Sequence, residues 1–267
     1  VTVPFLYRMN FKKIKNVSDG QRCSISCHLR KPKTSPESND ELETLLKSYF
    51  GMETFGIRHY EPLLSTDDER ALDILNETTK RTGDRFESGL LWRKDFNNFP
   101  DTYKMALRRL TIVEKKVASD SEYAKEYCEK IEEYLEKGYA RILSEEEASK
   151  RSNKTFYLPH FGVKNPNKNK FRFVFDAAAE IEDISLNKAL LAGPDLNQPL
   201  LKVLFKFRQA PIAVCGDLKE MFHQVSIISN DQDALRFLWR NGDTSQPPKT
   251  NVMQRMIFGA ACSPTTA

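Results

Sequence analysis

The spacing of apolar residues changes partway along the chain, near Thr155. Before this point apolar side chains recur at helical spacing, which predicts helices over about 101–117 and about 120–135. After it, short apolar runs separated by turn residues are typical of strands, and residues 170–175 alternate strictly. A chain that keeps helices and strands in separate stretches favours an α+β fold.

Cap and turn residues set the expected bounds of several elements. Thr66-Asp-Asp-Glu69 fits a capping box and predicts a helix through about residue 79. Residues 165–169 separate two alternating runs and predict the turn of a β-hairpin with a basic tip. Pro199 suits the first turn of another helix. The apolar run at residues 212–215 predicts a buried strand.

The overall composition is that of a soluble globular protein. The chain has 267 residues, a formal net charge of +4 and 40% hydrophobic residues. No run approaches the length of a membrane-spanning helix, so no membrane partner is expected. Five cysteines, an odd number, predict reduced thiols in an intracellular protein, cytoplasmic or nuclear. The chain starts at Val1 without a methionine, so we expect a piece of a longer polypeptide.

Residues 151–172 contain six basic residues and no acidic one. A basic patch can neutralise phosphates, and this neutralisation dominates the affinity of proteins for nucleic acids. A solvated loop face is the other interpretation. Charge alone leaves both open.

One acidic residue directly follows an apolar run, in Ile212-Ala-Val-Cys-Gly-Asp217. A carboxylate at a strand end can reach Mg²⁺, which prefers hard oxygen ligands, and nucleotidyl transfer uses two such ions. Phe222 lies five residues later, where a ring can bar a 2′-hydroxyl and so select deoxynucleotides. The alternatives are a turn or cap role for Asp217 and plain core packing for Phe222.

The alternating run ends in Phe175-Asp176. Alternation places Lys170, Arg172 and Asp176 on one face of the strand and three phenylalanines on the other. Arg172 would then be free to hold a triphosphate through two hydrogen bonds. A surface ion pair between Arg172 and Asp176, which would contribute little stability, is the alternative.

A glycine follows an aromatic residue in Phe258-Gly259, and Ser263-Pro264 comes shortly after. This pattern predicts an entry from a strand into a helix, where the backbone can lie close to a base or a template strand. Many folds use Gly and Ser-Pro in simple turns, so the pattern alone does not separate the two interpretations.

Taken in this order, the segments resemble the fingers and early palm of a reverse transcriptase. Among these enzymes the chain is most similar to the BEL/Pao class of LTR retrotransposon polyproteins, over most of residues 40–267. Further points of likeness are Glu132-Glu-Tyr-Leu-Glu-Lys-Gly138, Tyr157-Leu-Pro-His-Phe-Gly162, Phe171-Arg-Phe-Val-Phe-Asp176, Ser185-Leu-Asn187, Gly193-Pro194 and Phe237-Leu-Trp-Arg240.

The resemblance implies a role for the residues around the acidic motif. Asp217 would be the first catalytic aspartate and a ligand of Mg²⁺, and the backbone carbonyl of Leu218 would be a second metal contact. Phe222 would be the aromatic residue that gates the sugar.

The resemblance also assigns the nucleotide and template contacts. Lys170 and Arg172 would hold the incoming dNTP. Phe258 and Gly259 would lie beside the templating base. The expected partners of the complete enzyme are an RNA template, a DNA primer and the other polyprotein domains, which are protease-like, RNase H and integrase.

The domain organisation follows from the same resemblance. Residues 1–40 would be a linker or the tail of a protease-like domain, residues 41–118 a mainly helical lead-in, and residues 119–267 the fingers and an incomplete palm. The family's Tyr-x-Asp-Asp strand is not in this sequence, so we expect no polymerase activity from the chain alone. A degenerate or domesticated fragment that binds nucleic acid or a protein without catalysis is the alternative.

Overall fold

The structure is a computed structural model that describes residues 64–165, 170–209, 212 and 214–267. The chain forms two compact units. The described residues of the smaller unit are 199–209, 212 and 214–216, and those of the larger unit are 64–165, 170–198 and 217–267. The segment expected at residues 1–40 and the tip of the predicted hairpin lie outside the described residues.

Helices dominate the first part of the larger unit: α1 (Thr66–Thr78), α2 (Tyr103–Ser119), α3 (Ser121–Glu136) and α4 (Glu145–Ser149). The predicted helices over 66–79, 101–117 and 120–135 are confirmed. The capping box of α1 starts one residue earlier than predicted. Ser65 Oγ accepts from the Asp68 N–H, and the Asp68 carboxylate accepts from the Ser65 N–H, so both donors at the helix start are satisfied.

The strands of the larger unit are β1 (Lys80–Thr82), β2 (Arg85–Ser88), β3 (Ala140–Ile142), β4 (His160–Asn165), β5 (Lys170–Phe175), β6 (Val225–Ile227), β7 (Arg236–Trp239) and β8 (Lys249–Met253). In the described residues they form a sheet ordered β1-β2-β6, a sheet ordered β3-β8-β7 and the hairpin β4-β5. Strands β2 and β6 are parallel, and the other pairs are antiparallel. The predicted hairpin is confirmed, with Gly162 opposite Phe173.

Shorter elements complete the description. The larger unit also contains α5 (Leu186–Ala189), α7 (Ser229–Gln232), α8 (Ser263–Thr266) and the 3₁₀ turns Met221–Gln224 and Asp233–Leu235. The smaller unit contains α6 (Leu200–Gln209), which confirms the helix predicted after Pro199. The protein is therefore a mixture of helices and strands. In the part of the chain described, no helix is long and apolar enough to cross a membrane.

Packed rings join α3 to the hairpin and to β7. Tyr127 is fully buried, and its ring lies 5.2 Å from that of Phe173 and 5.3 Å from that of Trp239. Its hydroxyl is hydrogen-bonded to Nδ1 of His160, and His160 Nε2 lies 2.8 Å from the Leu238 carbonyl oxygen. Burial lowers the pKa of His160 to about 4, so this imidazole is neutral at neutral pH. The contacts fix one face of β5 and leave its other face at the surface.

A buried ion pair joins α2 to the end of β7. Arg240 Nε and Nη2 each donate to a carboxylate oxygen of Glu114 at 2.6 Å. The side chain of Glu114 is 2% exposed and that of Arg240 is 14% exposed. One point of likeness to the reverse transcriptases, Phe237-Leu-Trp-Arg240, therefore has a structural role here.

Candidate nucleotide-binding site

Asp217 lies in an irregular, exposed segment. The buried strand predicted at residues 212–215 is wrong for the residues described there, because Ile212 and Val214 are 67% and 77% exposed and neither belongs to a strand. An apolar run becomes a buried strand only where neighbouring strands pair with it, and no described strand pairs with this one. Asp217 makes no hydrogen bond or ion pair with any described residue, so its carboxylate is available to a ligand.

The turn after Asp217 is held by two side chains from the α3–β3 junction. Glu220 has a left-handed backbone, with φ of 54°. Its carboxylate accepts hydrogen bonds from Lys137 Nζ and from the Tyr139 hydroxyl, each at 2.8 Å. Partial burial alone would raise the pKa of Glu220, but these two hydrogen bonds outweigh it and lower that pKa. The backbone next to Asp217 and Leu218 is thus anchored to the core.

Phe222 and Phe258 are in direct contact. Phe222 lies in the 3₁₀ turn Met221–Gln224, and the two ring centroids are 4.6 Å apart at an interplanar angle of 75°. Phe258 remains 47% exposed. An edge-to-face pair of this kind is a favourable arrangement of two rings. The sequence placed these residues in separate motifs, and the structure brings them together.

The backbone of Gly259 lies against strand β5. Its φ is 104°, and a Cβ atom at this position would be 2.8 Å from the carbonyl oxygen of Phe175. The Asn187 side chain fixes the same loop, because its Nδ2 donates to the Gly259 carbonyl at 3.0 Å and its Oδ1 accepts from the Ala261 N–H at 2.8 Å. Only glycine fits this close approach without a shift of the backbone.

Arg172 lies on the outer face of β5, as the alternation predicted. Phe173 and Phe175 are buried on the other face, whereas Arg172 is exposed and makes no hydrogen bond or ion pair within the described residues. The alternative pairing with Asp176 is not formed, because Asp176 instead accepts from Arg109 at 2.8 Å. The side chain of Lys170 lies outside the described residues, so its predicted role remains a prediction.

Three other basic residues of the stretch 151–172 are neutralised within the protein. Arg151 pairs with Asp101 at 2.9 Å, Lys154 with Asp231 at 2.7 Å and Lys164 with Glu122 at 2.7 Å. The net attraction of this stretch for phosphates is therefore smaller than its composition indicates.

The carboxylates of the site are few. No group of three or more His, Cys, Asp or Glu side chains able to hold a metal ion occurs among the residues that the structure describes. Asp217 offers hard oxygen atoms of the kind that Mg²⁺ binds. It supplies one carboxylate, which does not complete a two-metal centre.

Reasoning from the sequence missed the residues that support the site. Asn187 was noted only as a point of likeness, and no local pattern connects Lys137 or Tyr139 with Glu220. These contacts join segments far apart in the chain, and spacing within one segment does not reveal them. In comparisons with known proteins, neither a family model nor a curated protein matches the sequence.

Proposed function

We propose that this chain is the nucleotide-binding part of an RNA-directed DNA polymerase, with the fingers and the early palm of a retrotransposon reverse transcriptase. The observation that carries the proposal is the contact between Phe222 and Phe258. The resemblance places Phe222 beside the sugar of the incoming nucleotide and Phe258 beside the templating base. These two groups lie close together because the incoming nucleotide pairs with that base. Asp217, which pairs with no described residue, precedes Phe222 by five residues in the chain, and a nucleotide site of this kind needs a metal-binding carboxylate beside the sugar.

The surrounding contacts support the same proposal. The Phe258-Gly259 loop is pressed against β5, the strand that carries Arg172 on its exposed face. An exposed guanidinium that pairs with no described residue can donate two parallel hydrogen bonds to a phosphate group. The missing side chain of Gly259 allows this approach to Phe175 and so fixes the loop that carries the Phe258 ring.

In the proposed site each residue binds or excludes a part of the substrate. Asp217 and the Leu218 carbonyl would hold Mg²⁺, which in such sites neutralises phosphate charge. Arg172 would bind the triphosphate, and the Phe222 ring would lie below the sugar and exclude a 2′-hydroxyl. Because Asp217 is the one carboxylate that the proposal assigns to the metal ion, we expect the chain alone to bind ligands without extending a primer.

Metal binding at Asp217 tests the proposal on the chain as it is. Mn²⁺ can replace Mg²⁺ as a probe, since it broadens the NMR signals of nearby amides. We expect broadening centred on residues 216–219, lost in Asp217→Asn and retained in Asp73→Asn, which removes an exposed carboxylate of α1. Equal broadening in the two variants would remove Asp217 from a metal site.

Primer extension tests the single-carboxylate argument, and binding of template and primer separates the two functional hypotheses. We expect no extension of a DNA primer on an RNA template by the purified chain with Mg²⁺ and dNTPs. Extension by this chain would contradict the single-carboxylate argument. Binding of template and primer without any response to dNTP, Mg²⁺ or Asp217→Asn would favour the alternative, a non-catalytic nucleic-acid-binding fragment.

A further inference from the structure

The sheet ordered β1-β2-β6 has a polar face that the proposed polymerase site does not use. Strand register places Glu87 opposite Ser226, and an isolated bridge places Ser226 opposite Arg255. Arg85 lies two residues before Glu87 on the same strand and so shares its face. The other face carries Phe86 and the buried Val225. Two arginines thus lie on one small polar surface.

These two arginines are incompletely bonded. Arg255 Nη1 donates to the Ser226 hydroxyl. Its Nε and the Nη1 of Arg85 are shielded from water and have no hydrogen-bond partner among the described residues. A buried N–H without an acceptor destabilises the folded state, and the loss of stability is larger when the N–H belongs to a charged group. An acceptor placed between the two side chains would satisfy both donors.

The charges at this surface are unbalanced. Partial burial, and next the positive charge of Arg85, lower the pKa of Arg255, while Tyr139 and Glu87 act in the opposite direction. Glu87 is the one carboxylate of this face among the paired residues, whereas Arg85, Arg255 and Lys80, which lies opposite Glu87 on β1, are positively charged. Neither arginine forms an ion pair with a described residue. An anion that meets both would relieve the repulsion and satisfy the free donors together.

We propose that Arg85 and Arg255 form a binding site for a phosphate group, either free inorganic phosphate or a phosphate of a nucleic-acid backbone. A phosphate has several oxygen atoms and can accept from two guanidinium groups at once, which is the recognition that arginine favours. The site uses none of Asp217, Arg172, Phe222 or Phe258, and it does not depend on the proposed polymerase function.

Arginine side-chain NMR with sodium phosphate tests the site directly. We expect the Nε–H signal of Arg255 to shift saturably with phosphate, beyond any shift caused by sodium chloride at equal ionic strength. In Arg85→Gln the affinity should fall about tenfold, since a charge-assisted pair of hydrogen bonds is lost. Arg81→Gln is the charge-matched control, because Arg81 pairs with Phe86 and so lies on the opposite face of the same sheet.

Fluorescence anisotropy with a labelled single-stranded DNA of about fifteen nucleotides tests the second source. Arg85→Gln should weaken binding and reduce the salt dependence by about one phosphate contact, and Arg81→Gln should do so less. Arg85→Lys keeps the charge and separates charge from hydrogen-bond geometry. Circular dichroism checks the fold of each variant. We expect the Arg85 variants to be folded, because the Arg85 side chain makes no described hydrogen bond.

The two sources of phosphate give different outcomes. A saturable response to inorganic phosphate alone supports a site for the free ion. A differential effect of Arg85→Gln on DNA supports a backbone site, whether or not the free ion also binds. A phosphate response no larger than that of chloride, together with equal DNA affinity of Arg85→Gln and Arg81→Gln, overturns the proposal. Each result is independent of the Mn²⁺ experiment at Asp217.

Discussion

Single residues set the shape of the loop that lies beside Phe222. Gly259 adopts a φ of 104° and touches the backbone of Phe175, and Asn187 closes the loop on its other side. The sequence indicated a turn at Gly259 but not the strand that it meets. It identified Asp217 and Phe222 as candidates, yet their supports, Lys137 and Tyr139, could not be found because no local pattern links residues across the fold.

Replacing Gly259 tests this close approach. Gly259→Ala should destabilise the protein by about 2 kcal/mol or more, because the new Cβ adds a backbone clash to an unfavourable φ. Gly83→Ala is the control, since Gly83 also has a positive φ of 63° but a Cβ atom there would meet no described atom within 4 Å, and about 1 kcal/mol is expected there. Urea unfolding followed by circular dichroism measures both. Equal losses would show that the Phe175 contact is unimportant.

The sequence predicted the helices and strands themselves better than it predicted which strands pair with one another. Local patterns were sufficient to predict α2, α3 and β5, because each of these elements buries one face along its own length. The run at 212–215 failed because a strand needs a neighbour, which lies elsewhere in the chain. The capping box of α1 was off by one residue because Ser65 and Thr66 both have a hydroxyl that can cap a helix.

Breaking the ion pair between Glu114 of α2 and Arg240 should destabilise the protein. Glu114→Ala should cost about 3–5 kcal/mol, because it leaves the Arg240 charge largely buried and unpaired. Glu129→Ala, which breaks the exposed pair between α3 residues Lys125 and Glu129, should cost under about 1 kcal/mol. The double variant Glu114→Leu with Arg240→Met should regain much of the loss. Chemical denaturation compares the four proteins, and equal costs for the two single variants would refute the argument.

At the scale of the molecule, the larger unit is held by contacts between distant segments. Two strand pairs join segments far apart in the chain, β2 with β6 and β3 with β8. The sequence predicted the class of mixed helices and strands because composition and periodicity report it. Strand order could not be predicted, since many pairings of short strands bury a similar apolar area.

Stability of the larger unit should fall in mild acid because of His160. Its pKa is 6.5 in an ordinary environment and about 4 in the folded protein. Between these values the unfolded chain takes up a proton that the folded chain does not, so stability falls as pH drops from about 6.5 to about 4. At 1.4 kcal/mol per pKa unit, this imidazole contributes about 3 kcal/mol of that loss.

An NMR titration of the imidazole signal checks this directly. We expect His160 to stay neutral in the folded protein down to about pH 4 and to titrate near 6.5 in concentrated urea. His160→Gln should lower stability at neutral pH but flatten its dependence on pH in this window. Titration of His160 near 6.5 in the folded protein would contradict the burial argument.

The parallel pairing of β2 with β6 has a consequence for the order in which the protein is made. Just after β2, the Leu90 amide donates to the carboxylate of Asp231, 141 residues further along the chain. A ribosome that adds about 5–20 residues per second needs roughly 7–28 s to make that stretch. For this time β2 has emerged without its partner, and its open edge is a template for pairing with other chains. Arg85 and Glu87 place charges on this strand, and charged side chains on an open edge disfavour such pairing.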